Sequence, residues 1–298
     1  MRDKIQSLKR QRNAVILAHN YQRAEVQDIA DFVGDSFELS QNAARSQAEV
    51  IVFCGVHFMA ETASILCPDK QVLLPNINAG CNMADMITAD GLRQKKREHP
   101  QAAVVCYINT SAEVKAECDA CCTSANAVKV VQNMPGDEII FVPDQYLGHF
   151  VATRVKKTLH LWPGFCPTHM RILPEHIRAR RQEHPQARVV VHPECTPQVI
   201  ALADEALGTG AMIRLARSEA ITEMVVGTEI GIIHRLQKEN PDKKFIPASE
   251  LAVCPNMKLI TLESILWCLE DLSPEVRVDA EVARGAKRAV DRMLQTGG

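Results

Sequence analysis

An internal repeat constrains this chain more than any other feature. RDKIQSLKRQRNAVILAHN, ADGLRQKKREHPQAAVVCYIN and PEHIRARRQEHPQARVVVHPE each join a basic helical stretch to an apolar run that ends in a polar cluster. The string EHPQA even recurs literally at 98–102 and 183–187. A repeat of this kind means one supersecondary unit used several times. In this register His19, Tyr107 and His192 coincide, as do Tyr21, Asn109 and Glu194 two residues later. Ser36, Ser124 and Thr209 form a third set, and Cys81, Cys166 and Cys254 follow the first set by 62, 59 and 62 residues. Three units that each offer one thiol imply a metal centre on an approximate threefold axis.

A period of 85 to 88 residues in a chain of 298 favours three small domains over one or two. VILAHN, VIVFCG and QVLLPN are apolar runs of strand length, while intervening stretches such as QDIADFVGDSFELSQNAARSQ carry helical apolar spacing. The alternation predicts an α/β fold: three αβα units, each a small parallel sheet with helices on both faces, related by a pseudo-threefold axis in a triangular arrangement. The boundaries fall at 1–86, 87–171 and 172–258. Residues 259–298, in which TLESILWCLEDL begins at Thr261, resemble the first helix of a further repeat and are expected to close onto the first unit.

The basic runs LKRQR, RQKKR and RARR occupy equivalent helix positions in a chain of net charge −2, so they read as solvated helix faces and no nucleic-acid partner is expected. MRDKIQSLKRQR lacks a signal-peptide pattern and no apolar run approaches 18 residues; a soluble, cytoplasmic protein with no membrane partner is the expectation. The sequon Asn109-Thr110-Ser111 then carries no glycosylation. Eleven cysteines without a secretory signal point to a reducing compartment, where metal binding or catalysis outranks a disulfide framework. GxGxxG, Walker A, GxSxG and CxxxCxxC strings are absent, which disfavours dinucleotide, triphosphate, serine-hydrolase and radical S-adenosylmethionine chemistry.

Among the cysteines, the dense cluster Cys118, Cys121 and Cys122 aligns with DIADFVGD, which has no thiols, and reads as ordinary helix or loop. Cys54, Cys67, Cys106, Cys195 and Cys268 read as small core residues. Cys81, Cys166 and Cys254 differ: each follows a predicted strand by a short segment, on a loop at one end of its sheet, where α/β ligand sites form. Three thiolates suit zinc with an open fourth position or a [4Fe-4S] cluster short of one cysteine, and spacing does not separate the two. Ser36, Ser124 and Thr209 precede predicted helices, whose free N–H groups accept carboxylate or phosphate. His19, Tyr21, His192 and Glu194 add the composition of a general acid/base site.

AHNYQ with DIADFVGDS, YINTSAEVKA with CTSANA, FCPTH, HPEC, VGTEIGIIHRL and CPNMKLITLE resemble the quinolinate synthase family (NadA) along nearly the whole chain. The resemblance implies a [4Fe-4S] cluster held only by Cys81, Cys166 and Cys254, with its fourth iron facing the substrate. It implies condensation of iminoaspartate with dihydroxyacetone phosphate to quinolinate, with loss of phosphate and two waters, in NAD biosynthesis. An enzyme that supplies iminoaspartate is then a candidate partner. By the same resemblance His19, Tyr21, Tyr107, His192 and Glu194 are catalytic, while Ser36, Asn109, Ser124, His169 and Thr209 bind substrate. Where relatives commonly carry serine before the threonine, this chain has Gly208-Thr209-Gly210. Two other readings fit the thiols: a different cluster-dependent dehydratase of small polycarboxylates, and a non-catalytic iron or zinc sensor.

Overall fold

The computed structural model of the chain describes residues 1–296. In the first repeat α1 (Arg2–Gln11) leads into β1 (Ala14–His19), α2 (Ala24–Ile29), β2 (Phe32–Gly34), α3 (Ser36–Arg45), β3 (Val50–Cys54), α4 (His57–Leu66) and β4 (Gln71–Leu73). The second repeats the order with α5 (Ala89–Glu98), β5 (Ala103–Tyr107), α6 (Ala112–Ala116), β6 (Ala120–Cys122), α7 (Ala127–Asn133), β7 (Glu138–Val142), α8 (Gln145–Ala152) and β8 (Thr158–Leu161). The third does so with α9 (Pro174–Glu183), β9 (Arg188–Val191), α10 (Pro197–Ile200), β10 (Glu205–Ala206), α11 (Thr209–Ala216), β11 (Glu223–Gly227), α12 (Ile232–Glu239) and β12 (Lys244–Pro247). A single 3₁₀ turn ends each repeat, at Ala84–Met86, His169–Arg171 and Asn256–Leu259, and α13 (Leu262–Asp271) and α14 (Ala280–Thr296) finish the chain.

The three sheets share one strand order, β2-β1-β3-β4, β6-β5-β7-β8 and β10-β9-β11-β12, and every strand pair is parallel. Sheets covered by helices on both faces need strands that are apolar throughout, and VIVFC of β3 is buried at every position. In each sheet the chain steps outward from the first strand, then crosses back to the other side. The carboxyl ends of β1 and β3, and of their counterparts, therefore border the crevice where α/β sheets bind ligands.

One helical stretch was expected across QDIADFVGDSFELSQNAARSQ; the structure replaces it with α2, β2 and α3. Two aspartates cut it. Asp31 Oδ2 accepts the Ile16 N–H of β1 at 2.8 Å and ends the first helix, and Asp35 caps α3 in a capping box with Glu38. Asp119 and Asp204 repeat the Asp31 device on Val104 and Val189 at 2.7 Å each. In CDACC the last three residues, Ala120–Cys122, form strand β6 rather than helix or loop, since Cys121 pairs with Cys106 of β5, while Cys118 and Asp119 remain loop.

Buried side chains of the first two repeats merge into one core that also takes Ile265 and Leu269 from α13 and Val290 and Met293 from α14. Fully burying one such aliphatic side chain is worth about 1.5–3 kcal/mol, so the two closing helices are anchored by burial. Helix α13 packs on α1, and α14 packs on α6, β6 and α4. At Gly285 of α14 an added Cβ would stand 2.8 Å from Cβ of Ala116, so the close approach of α14 to α6 requires glycine. The third repeat keeps two clusters of its own, around Val189 and Val191 and around Val190 and Val226. Among the described residues no helix is long and apolar enough to cross a membrane.

Candidate active site and metal centre

At the carboxyl ends of the strands the three repeats surround a cavity of about 140 Å³. Its walls include His19, Tyr21, Ser36, Cys81, Tyr107, Asn109, Ser124, Cys166, His169, His192, Glu194, Thr209 and Cys254, every side chain singled out in the sequence. The loops that carry the three cysteines are tied to one another in pairs. Asn256 Nδ2 donates to Gly80 O at 2.9 Å and Asn82 Oδ1 at 3.0 Å, joining the third and first repeats. Trp162 Nε1 donates to Met86 O at 2.9 Å, joining the second to the first, and Arg171 donates to Leu251 O at 3.3 Å, joining the second to the third.

Each cysteine stands at the mouth of its 3₁₀ turn, where backbone N–H groups favour the thiolate: those of Ala84 and Met83 at Cys81, His169 at Cys166, and Met257 and Asn256 at Cys254. Burial works the other way and dominates, raising all three thiols and pushing Cys81 up to about 12. A bound cation cluster reverses that balance, because coordination replaces the thiol protons. Cys81 senses Cys254 and Cys166 senses Cys81, and three such thiols, drawn from three loops that brace one another, fit a three-cysteine cluster. The remaining eight cysteines are buried, and Cys106 and Cys121 lie 3.4 Å apart between strands.

Beside the thiols, with Cys166, His169 and Glu194 offering atoms within 4.8 Å of one another, runs a continuous proton path. Tyr107 donates its hydroxyl to Glu194 Oε1 at 2.5 Å, and Glu194 Oε2 lies 2.7 Å from His169 Nδ1. His169 Nε2 meets Thr228 Oγ1 at 2.9 Å, and Thr228 meets the Tyr21 hydroxyl at 2.6 Å. Burial pushes Glu194 up, but His169, His192 and the Tyr107 hydroxyl outweigh it and hold the carboxyl below its ordinary range. With Glu194 ionised, the charge 2.7 Å away keeps the His169 proton on Nδ1, although that contact is off the hydrogen-bond direction, and leaves Nε2 to accept, so Thr228 points its proton at His169 and Tyr21 points its own at Thr228. Every donor in the chain is then oriented toward the carboxylate.

His19 and His192 are fixed differently. Nδ1 of His19 accepts the Tyr21 N–H and Nδ1 of His192 accepts the Glu194 N–H, both at 3.2 Å. The matching geometry in repeats one and three assigns the ring proton to Nε2 in each. Burial lowers His19 to about 3 and His192 to about 4, so both are neutral Nε2–H donors near pH 7. His192 Nε2 reaches Ser124 Oγ at 3.1 Å.

The three hydroxyls do not share one environment. Ser36 and Thr209 begin α3 and α11, whereas Ser124 stands ahead of the Asn126 cap of α7. At α3 the N–H groups of Phe37 and Glu38 are already taken by Asp35 Oδ1 at 2.9 Å each, which leaves less for an outside anion. At α11 the cap is Gly208, which offers no side-chain bond. A Cβ there would stand 2.7 Å from Ser124 Oγ, so glycine lets the second repeat approach the third, and a serine at 208 would have to displace it. Asn20 Nδ2 donates to Thr209 Oγ1 at 3.1 Å. Asn109 keeps a buried Oδ1 with no protein partner, an acceptor left for a ligand donor.

Sequence reasoning did not select Thr228, Glu229 or Asp144, although the first two lie within the quoted VGTEIGIIHRL. The register was the available signal, since Val56, Asp144 and Glu229 occupy one position of the repeat. Besides the buried group Cys166, His169 and Glu194 within the cavity, a metal-like group of His99, Glu138 and His160 lies at the surface of the second repeat. Its imidazoles stack with centroids 3.6 Å apart at 20°, and His160 Nε2 is already paired with Glu138 Oε2 at 2.9 Å. The same place in the third repeat holds the ion-paired His184, Glu223 and Lys244.

The family model described as Quinolinate synthetase A protein matches residues 3–295. Quinolinate synthase of Dehalococcoides mccartyi (strain CBDB1) is 58% identical over 292 residues, 98% of this chain and 97% of the relative. The protein of that name from Geotalea uraniireducens (strain Rf4) is 54% identical over 294 residues, 99% and 97% of the two chains. The one from Methanosarcina barkeri (strain Fusaro / DSM 804) is 53% identical over 292 residues, 98% and 96%.

Proposed function

The chain belongs to the quinolinate synthase family, and from that premise we propose that it condenses iminoaspartate with dihydroxyacetone phosphate, with a [4Fe-4S] cluster held by Cys81, Cys166 and Cys254. It is an enzyme of NAD biosynthesis. The observation that carries the finer reading is the meeting, in one cavity, of three thiols from three repeats with a proton path that ends on an ionised carboxylate. A bound cluster with one iron free of cysteine supplies Lewis acidity for the loss of water.

The chain's own residues account for the rest. Glu194 is the proton acceptor for enolisation, and Tyr107, His169, Thr228 and Tyr21 carry protons to and from it. His19, neutral and protonated on Nε2, donates a hydrogen bond to a substrate oxygen without changing charge, and His192, through the same nitrogen, orients the Ser124 hydroxyl toward the ligand. Asn109 accepts from an N–H or O–H of the ligand at its free Oδ1. Ser36, Ser124 and Thr209, with the uncapped start of α11, hold carboxylate or phosphate groups. An enzyme that releases iminoaspartate is the partner this chemistry calls for.

Protein purified without oxygen should be brown, carry about four irons and four sulfides, the content of one [4Fe-4S] cluster, and form quinolinate from the two substrates. Serine at Cys81, Cys166 or Cys254 should each abolish the chromophore, while serine at Cys118, Cys121 or Cys122 should leave it. Iron lost with the Cys118–Cys122 thiols and kept without Cys254 would overturn the assignment.

A further inference from the structure

Each cysteine loop is closed by the same backbone bond: the N–H of His57, Gln145 or Ile230 donates to the carbonyl of Ala79, Gly164 or Ala252, at 2.7, 2.8 and 3.0 Å. The cysteine follows two residues later in each case. The side chain just before the donor differs, being Val56 in the first repeat, Asp144 in the second and Glu229 in the third. Glu229 and Asp144 are both 0% exposed, and neither belongs to the proton path. Two buried carboxylates are costly unless what they hold repays the desolvation.

Their contacts show what they hold. Glu229 Oε1 accepts the backbone N–H of Cys254 at 3.1 Å and pairs with Lys258 Nζ at 2.9 Å, while Oε2 accepts the Gly231 N–H at 2.7 Å. Lys258 Nζ donates in addition to the backbone carbonyl of Tyr21. One ion pair thus ties the Cys254 loop of the third repeat to the Tyr21 turn of the first. Asp144 Oδ1 caps α8, taking the N–H groups of Tyr146 and Leu147 at 2.8 and 2.7 Å. Its Oδ2 has no hydrogen-bond partner. Asp144 therefore reaches the Cys166 loop only through α8, whose first residue, Gln145, donates to Gly164 O, and its hold is looser than that of Glu229.

Resting on the reading of Cys81, Cys166 and Cys254 as cluster ligands, we propose that Glu229 with Lys258, and Asp144, are positioning residues that pin the Cys254 and Cys166 loops for the cluster. The loop of Cys81 has only Val56 at that position. Ligands whose outer partners are removed typically lose 10–100-fold in metal affinity. Glu229→Gln keeps the shape, but its NH₂ must face the N–H of either Cys254 or Gly231, and Lys258 loses its countercharge. Asp144→Asn is the second variant, in a different repeat.

The measurement is the rate of iron release to a chelator from anaerobic, cluster-loaded protein, set beside the melting temperature of the cluster-free chain. Release should quicken about 10- to 100-fold in Glu229→Gln and by less in Asp144→Asn, with melting of the cluster-free chains near that of the parent. Wild-type release rates in both variants would overturn the inference, as would faster release matched by an equal loss of stability in the cluster-free chain. Cys254→Ser separates the two layers of the argument. If it retains iron, the ligand reading fails; if it loses iron while both carboxamide variants release normally, only the positioning role fails.

Discussion

Replacing Glu194 by glutamine tests the proton path where it ends. The amide can still accept the Tyr107 hydroxyl through its oxygen, but its NH₂ then faces His169 Nδ1, which in the parent lies 2.7 Å from a carboxylate oxygen. His169 must move its proton to Nε2, Thr228 must accept from it, and the path that pointed at residue 194 points away. Two hydrogen bonds to a charged acceptor become neutral ones, a loss of about 1–1.5 kcal/mol each. A buried charge is lost with them, and its desolvation cost of several kcal/mol offsets most of that, so folded stability should change little. Turnover should not escape so lightly: general acid/base catalysis contributes about 10²- to 10⁴-fold, or roughly 3–5 kcal/mol of barrier. The neutral histidines offer no rescue, because the charge of Glu194 holds His19 and His192 up, and without it both fall further. Anaerobic quinolinate formation at matched iron content reads the rate, and binding of a pyridine dicarboxylate reads the pocket. Turnover within about threefold of the parent, well outside the span set by acid/base loss, would remove Glu194 as proton acceptor. Loss of ligand binding in step with turnover would mean that the carboxylate holds substrate rather than protons.

Acid should destabilise the chain through its buried histidines. The unfolded chain protonates near 6.5, while the folded one holds His192 to about 4 and His19 to about 3, so stability is full above 6.5 and falls as pH drops through that window. The sum is roughly 3 kcal/mol for His192 and 5 for His19, and a urea midpoint that does not move between pH 7 and pH 4.5, or moves equally in His192→Gln, would contradict it. Ser124→Ala should weaken dicarboxylate or phosphate binding by about 1–3 kcal/mol, since it removes both a ligand hydroxyl and the partner of His192 Nε2. Ser36→Ala should weaken it similarly at almost no cost in stability, because Asp35 rather than Ser36 caps α3; unchanged inhibition by pyridine dicarboxylates in both variants would remove these hydroxyls from the pocket.

The sequence by itself determined the repeat, and with it the alternation of strands and helices and the phase of Cys81, Cys166 and Cys254. Those signals are local: an apolar run such as VIVFC needs no partner to read as a buried strand, and a register of polar residues survives any arrangement of the units. Local signals also misled. Helical spacing across QDIADFVGDS concealed β2, because what ends the helix is a long-range bond from Asp31 to the backbone of β1. CDACC gave no sign of pairing with β5, since strand pairing depends on the neighbour rather than on the segment. Tertiary structure alone decided which polar groups meet. Tyr21, Thr228, His169, Glu194 and Tyr107 come from all three repeats, and their order along the proton path follows from how three loops pack against one another. The three hydroxyls in one register received three environments for the same reason: Asp35 occupies one helix start, Gly208 leaves another open, and Ser124 fills the gap that Gly208 leaves. Periodicity is encoded residue by residue, whereas the convergence of side chains from separate repeats exists only once the chain has closed on itself.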